Sequence, residues 1–201
     1  LSTNPDPYNL DIDKLGLFAD RMSILKDAPA SLVITASVAA VGPYTNQRPV
    51  DLVSTANDLI TGSLSLTRPD LQRFLVDTLV AGRRQDGQPQ VGAGVITIAT
   101  PVDASNLRVK DGIVLAGTRQ ILDEGGTTGI SVKNLTLDAG GQILLTGTGN
   151  QIQYLAATIR DSGLAENASF TLFNQLRTVG SALIPLTIGL ISVDGAFATG
   201  Q

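Results

Sequence analysis

The stretch Asn134-Leu-Thr-Leu-Asp-Ala-Gly-Gly-Gln-Ile-Leu-Leu-Thr-Gly-Thr-Gly-Asn150 decides the fold class. Leu135 and Leu137 flank Thr136, the period of two expected of a strand with one buried face. Asp138-Ala-Gly-Gly141 then turns the chain toward Ile143 and Leu145. The two runs are read as successive strands of a coil joined by a short corner, not as a hairpin.

The same alternation recurs along the chain. Leu10 and Ile12 alternate with Asp11 and Asp13, and Leu32 and Ile34 continue the pattern. Leu64 and Leu66 flank Ser65, Ile96 and Ile98 flank Thr97, and Leu107 and Val109 flank Arg108. Ile130 and Val132 flank Ser131, and Phe170 and Leu172 flank Thr171. Gly, Asn, Asp or Ser separates the runs. Short strands and frequent turns admit a sandwich, a barrel or a β-solenoid. Three features favour the solenoid. Inward positions are aliphatic and outward ones are small or hydroxylated. Corners are short. Segments recur at about 20 residues, the period of many coiled β architectures, as in Leu115-Ala-Gly117, Leu137-Asp-Ala-Gly140 and Leu145-Thr-Gly147.

Composition points the same way. Of 201 residues, 43% are hydrophobic but only 4% aromatic, and there is no Trp. Leu, Ile, Val and Ala must fill the interior, which suits a narrow, repetitive core rather than a broad one built on rings. Charged residues are 16%, against roughly 25% in ordinary soluble domains. The most apolar run, near Ala182 to Val193, is interrupted by Pro185 and falls short of the ~20 residues that span a bilayer. The net charge is −4 with no long basic run, so nucleic acid and anionic membranes are poor partners. The pair Arg83 and Arg84, followed by Gln85-Asp-Gly87, reads as an exposed turn.

One segment is ambiguous. Between Thr67 and Gly82, Pro69 sits where an early helical position tolerates it, and Gly82 could be a C-cap. Leu71, Phe74, Leu75 and Leu79 would share one helical face.

The same segment carries a resemblance. Ser63-Leu-Ser-Leu-Thr-Arg-Pro-Asp-Leu-Gln-Arg-Phe-Leu-Val-Asp-Thr-Leu-Val-Ala-Gly82 resembles a recurrent unit of very large bacterial exoproteins of the filamentous haemagglutinin kind. Leu64, Leu66, Thr67, Leu71, Arg73, Phe74, Thr78, Leu79 and Gly82 occupy the unit's places without a gap. Ala81 replaces a bulkier aliphatic, and Pro69 sits in the turn. Residues 134–150, continuing through Gln151 to Ala157, are similar to that family's coil of Leu-Thr-Leu, Ala-Gly-Gly, apolar alternation, Thr-Gly and Asn. The likeness covers roughly Ser63 to Asn174 and is one of style beyond it. It implies one turn of helix near Pro69 to Arg73 and a strand at Thr78 to Ala81. It also implies an elongated β-helical rod exported across the outer membrane of a Gram-negative bacterium, acting as an adhesin or biofilm component. No catalytic residue belongs to the pattern.

Chemistry-bearing residues are sparse. Asp11 with Asp13, Asp123 with Glu124, and Asp161 with Glu166 are the acidic pairs that could serve a polysaccharide-cleaving β-helix, if held ~5–9 Å apart. Strand exteriors need polar residues, and Gly125-Gly126 places the second pair in a turn, so the structural reading is preferred for the first two pairs. There is no His and no Cys, which removes the usual transition-metal ligands, the Ser-His-Asp triad and disulfides. The absence of Cys fits a chain kept unfolded during passage through a periplasm. Neither a calcium-binding nonapeptide nor a phosphate loop is present. Asn134-Leu-Thr136 and Asn167-Ala-Ser169 match the glycosylation acceptor pattern, which recurs by chance in such compositions. Asn106, Asn150 and Asn174 are expected to satisfy backbone groups at corners.

The expectation is therefore an all-β chain forming a right-handed parallel β-helix of roughly ten coils, ~45–50 Å long. Residues 1–201 form a single β-helical segment of a longer secreted or cell-surface exoprotein, which begins here at Leu1 without a signal peptide. It is expected to act as a structural rod rather than an enzyme, without catalytic, cofactor-binding or metal residues. A carbohydrate-active β-helix and a phage tail fibre are the alternatives. Expected partners are an outer-membrane transporter and a host-cell, matrix or carbohydrate surface, without membrane insertion. Leu66, Leu79, Ile98, Leu115, Leu137, Leu145 and Leu172 should share one interior. Pro5 and Pro7 could blunt the edge at Leu1 to Tyr8. The far end, Val193 to Gln201, is uncharged after Asp194. It should be continued by more coils or by another subunit, with apolar surface around Leu190 to Phe197.

Overall fold

The aliphatic alternation can be buried only if successive strands stack with like residues in line, and the topology does this. A computed structural model describes residues 11–24, 33–53, 62–82, 92–160, 168–179, 182–193 and 196–197. The chain is all-β. In order, the strands are β1 (Asp11–Phe18), β2 (Ile34–Gly42), β3 (Val50–Val53), β4 (Leu64–Thr67), β5 (Phe74–Ala81), β6 (Ala93–Ile98), β7 (Val102–Asp103) and β8 (Val109–Asp123). There follow β9 (Ile130–Ala139), β10 (Gln142–Leu145), β11 (Gln151–Ile159), β12 (Ser169–Leu172), β13 (Arg177–Val179), β14 (Ala182–Ile184), β15 (Thr187–Val193) and β16 (Ala196–Phe197). One helical turn, α1 (Arg68–Leu71), joins β4 to β5.

Fourteen of these strands form one sheet, parallel except where β16 turns back on β15. The longest column runs β1-β2-β5-β8-β9-β11-β15, in chain order. A second column runs β4-β3-β6-β8-β10-β12. The 15-residue β8 serves both, with Ile113 opposite Leu135 in its first half and Ile121 opposite Ile143 in its second. β7 pairs with the start of β9, where Val102 faces Ile130. β9 and β10, separated by Gly140-Gly141, do not pair with each other; each pairs with its own neighbours.

In the middle of the column the offsets are close to the expected period: Ile113 to Leu135 is 22 residues and Leu135 to Leu155 is 20. Elsewhere excursions lengthen it. Thr35 to Leu75 is 40, Leu79 to Ile113 is 34 and Leu155 to Ile188 is 33. A count of ten coils assumed ~20 residues throughout; the column among the described residues has seven strands. Between β3 and β4 the chain even steps backward. β4 follows β3 in sequence but pairs on the side of β3 away from β6.

Leu66, Leu79, Ile98, Leu115, Leu137 and Leu145 are all buried in one aliphatic cluster, and Leu172 is partly buried against it. Each such side chain contributes roughly 1.5–3 kcal/mol by leaving water. Leu115 stacks on Leu137, but Leu145 stacks on Leu172 in the other column. The three Gly-ending segments read as one repeat are therefore two different corners.

A shift of phase bends the strands. In β9, Ile130 and Val132 are buried, Lys133 and Asn134 are both outward, and Leu135, Leu137 and Ala139 are buried again. β11 repeats this with Gln153 and Tyr154 between Ile152 and Leu155. In β5, Asp77 and Thr78 stand between the buried pairs Phe74, Val76 and Leu79, Ala81. Two consecutive outward residues make a corner within a continuous strand. This corner is laced along the stack by Asn134 Nδ2 donating to Asp111 O at 2.7 Å and by a Lys110–Asp77 ion pair at 3.0 Å.

The ambiguous segment divides as the resemblance implies, with shifted bounds. The helix occupies only Arg68–Leu71, and the strand begins at Phe74. Thr67 caps the turn: its Oγ1 accepts from Asp70 N at 3.3 Å and donates to Asp70 Oδ2 at 2.5 Å. Asp70 Oδ1 accepts from Ile24 N at 2.7 Å, so the cap also ties down the segment after β1. One turn gains too little to propagate unless an apolar face is waiting for it, and here the next apolar residues join the β column. Gly82 is not a helix cap. It ends β5 at φ +100°, where a Cβ would lie 2.5 Å from Ala116 O. Leu107 and Val109 are buried as their alternation suggests, but Leu107-Arg108 belongs to a turn, with Arg108 at φ +56°.

At the far end β15 carries exposed Ile188 and Leu190, while Ile191 is buried. β16 covers the edge of β15 at Ser192 and Val193, so the chain itself seals part of this edge. The hairpin β13-β14 is separate from the large sheet and antiparallel. The Pro5 and Pro7 segment lies outside the described residues.

Candidate functional site

Asp123, at the end of β8, is the acidic residue with the richest surroundings. Its Oδ1 accepts from Gly125 N at 3.1 Å and Thr146 Oγ1 at 3.3 Å. Its Oδ2 accepts from Gly147 N at 2.7 Å and Asn150 Nδ2 at 3.2 Å. Both oxygens are thus committed to the next turn of the stack. Asn150 continues the network. It is completely buried; its Oδ1 accepts from Ile130 N at 2.9 Å and its Nδ2 donates to Gly147 O at 2.9 Å. One layer on, Asn174 Oδ1 accepts from Ile152 N at 2.8 Å and its Nδ2 donates to Ile152 O at 3.2 Å. The arrangement is a polar corner ladder that joins layers by side chain where the strands break. Glu124 beside Asp123 is exposed, and the pair stands at the end of β8, just before the turn at Gly125-Gly126.

Asp13 is exposed on β1, and the Asp11 side chain lies outside the described residues, as do Asp161, Glu166 and Asn167. Arg83 and Arg84 lie outside them too. Asn106 behaves differently from Asn150 and Asn174: its Nδ2 donates to the Asp103 carboxylate at 2.9 Å. Asn134 spends its amide on Asp111 O. Among the described residues no three His, Cys, Asp or Glu side chains lie together to hold a metal. No helix among them is long and apolar enough to cross a membrane.

A concave feature lies elsewhere, beside α1. Pro69, Gln72, Arg73, Asn106 and Arg108 line a cavity of about 340 Å³. Gln72 Nε2 donates to Asn106 O at 3.3 Å, bridging α1 to the turn before β8. Sequence reasoning missed this hollow. Arg73 appears there as part of a repeat unit, Asn106 as a corner residue and Arg108 as the outward member of a strand. Only the parallel pairing of β5 with β8, with Val76 opposite Val109, brings the two turns side by side. The one local signal is an Arg in a Ser-Asn-Leu-Arg turn, where a residue at positive φ is usually Gly or Asn.

The chain matches no protein-family model, and no curated protein or solved structure shows significant similarity to it.

Proposed function

We propose that this chain is a segment of a right-handed parallel β-helix that serves as the structural rod of a secreted or cell-surface bacterial adhesin or filament protein. The observation that carries the reading is the regular parallel advance Ile113–Leu135–Leu155 in one column, matched by Ile121–Ile143 in the other. Two columns advancing together by 20–22 residues suit a chain winding round a single aliphatic interior. Right-handed winding is the hand that crossovers between parallel strands take almost without exception. The polar corner ladder fits a part selected for stiffness, because its carboxylate and amides are bonded within the stack. The resemblance of residues 63–82 and 134–150 to haemagglutinin-like exoproteins supplies the surface setting, the outer-membrane transporter and the adhesive role. Continuation of the far end, around Leu190 to Phe197, by further coils or by another subunit is part of the same reading.

Small-angle scattering tests it. A β-helical segment gives a rod-like pair-distance distribution with a maximum dimension well above that of a sphere of equal mass. A compact, isotropic profile refutes it. For the adhesive role, display of the chain on a non-adherent bacterium should raise attachment to matrix-coated surfaces; unchanged attachment counts against it.

A further inference from the structure

Strands β4, β3 and β6 lie side by side and in register, with Val50 between Leu64 and Ile96 and Leu52 between Leu66 and Ile98. All of these side chains belong to the aliphatic interior. Strand geometry turns every second residue to the opposite face, so Asp51 stands there in one row with Ser65 and Thr97. That outer face is closed to water at this point, since Asp51 is only 4% exposed and Ser65 only 7%. Among the described residues six polar or charged side chains are buried, and five of them, Asp51, Ser63, Ser65, Thr67 and Asp70, fall in this one stretch. Thr67 and Asp70 bond to each other. Asp51 differs: its Oδ2 is buried and has no hydrogen-bond partner among the described residues.

A carboxylate leaves water at high cost unless a proton, a hydrogen-bond donor or a cation replaces the lost solvation. Arg48 does not supply it. Its guanidinium reaches Ser63 O at 3.5 Å, and its own Nε is buried without a partner. The row itself offers oxygen. The hydroxyls of Ser65 and Thr97 keep lone pairs to give even while they donate, and they flank Asp51 at one strand spacing, ~4.8 Å, on either side. Carboxylate and hydroxyl oxygens are the ligands of a hard cation. One carboxylate among neutral hydroxyls balances a single positive charge. Exposure of 4% admits a small ion but not the head of a lysine or arginine from another molecule.

We propose that Asp51 binds a monovalent metal cation of the sodium or potassium kind, with Ser65 and Thr97 as its hydroxyl ligands. The proposal stands independently of the rod reading. Thermal unfolding of the full chain in sodium chloride, potassium chloride and N-methyl-D-glucamine chloride tests it, at one pH and one ionic strength. The organic cation is too large to enter, and general screening is the same in all three salts. Replacing it by sodium or potassium should raise the melting temperature saturably, by several degrees, because an ion that binds only the folded chain stabilises it. Asp51→Asn, neutral and of equal size, should abolish this rise and should melt no lower than the wild type in the organic salt. Thr97→Val should keep the rise but move its midpoint to severalfold higher sodium, and it carries the test if Asp51→Asn fails to fold. Equal melting of the wild type in all three salts would leave Asp51 holding only a proton or water and would overturn the proposal. An undiminished rise in Asp51→Asn, or an unmoved midpoint in Thr97→Val, would overturn it as well.

Discussion

Asn150 shows what one side chain does at a corner. Every polar atom of it is bonded, and it contributes no exposed surface. Asn150→Ala leaves the buried Ile130 N–H without its acceptor and frees Asp123 Oδ2 from a donor. A loss of about 2–3 kcal/mol is expected in urea unfolding, since an orphaned buried group costs more than an average hydrogen bond returns. Asp20 is a residue of another kind. It is partly exposed at the corner after β1, where Thr45 Oγ1 at 2.5 Å and Thr45 N at 2.8 Å donate to its carboxylate. These bonds, with a smaller attraction from Arg48, hold its pKa below the ordinary 3.8. Its stabilising contribution is present above that value and is lost as pH falls through the lowered pKa. Stability curves of the wild type and Asp20→Asn should therefore converge at the acid end and separate above it. Parallel curves would show that the bonds to Thr45 do not stabilise the fold. The roles of Asn150 and Asn174 were legible from their turn context, whereas that of Asp123 was only half legible. Its acceptors' partners lie 23 to 27 residues away, and no local pattern encodes them.

Elements of this protein are set by phase as much as by propensity. β5, β9 and β11 each insert two consecutive outward residues, so the buried set reads 74, 76, 79, 81 rather than strict alternation. That spacing mixes steps of two and three and imitates part of a helical face, which explains the double reading of residues 67–82. The structure resolves it by burial: Phe74 and Val76 enter the aliphatic column, where the register with Ile34 and Ala36 is already fixed. Gly82 marks the point where β5 must stop. Its N–H donates to Val41 O at 2.8 Å and its O accepts from Ala93 N at 2.6 Å. Gly82→Ala should cost about 2–3 kcal/mol, combining a positive φ with a close backbone approach. Thermal unfolding of this variant beside the wild type measures it. A loss below half a kcal/mol would mean that the turn relaxes freely.

At the scale of the whole molecule, the described parallel strands share one aliphatic cluster, and stability should vary along the column. Leu137→Ala, in mid-column and fully buried, is expected to cost about 2–5 kcal/mol, and Leu172→Ala, only partly buried on β12, distinctly less. Denaturation midpoints of the two variants test this; equal losses would contradict a core that thins toward β12. A chelator should leave the melting temperature unchanged, and a drop of several degrees would expose a bound metal. The sequence by itself determined the β class, the aliphatic identity of the interior and the short Gly-Gly corner at 140–141. Each of these rests on period and composition, which are local. The tertiary structure alone decided the backward step of β4, the unequal offsets along the column and the placing of Arg73 and Arg108 on one hollow. These depend on which strands pair across 14 to 46 residues. Pairing at that range is chosen by the summed burial of whole layers, a quantity that no single stretch of sequence contains.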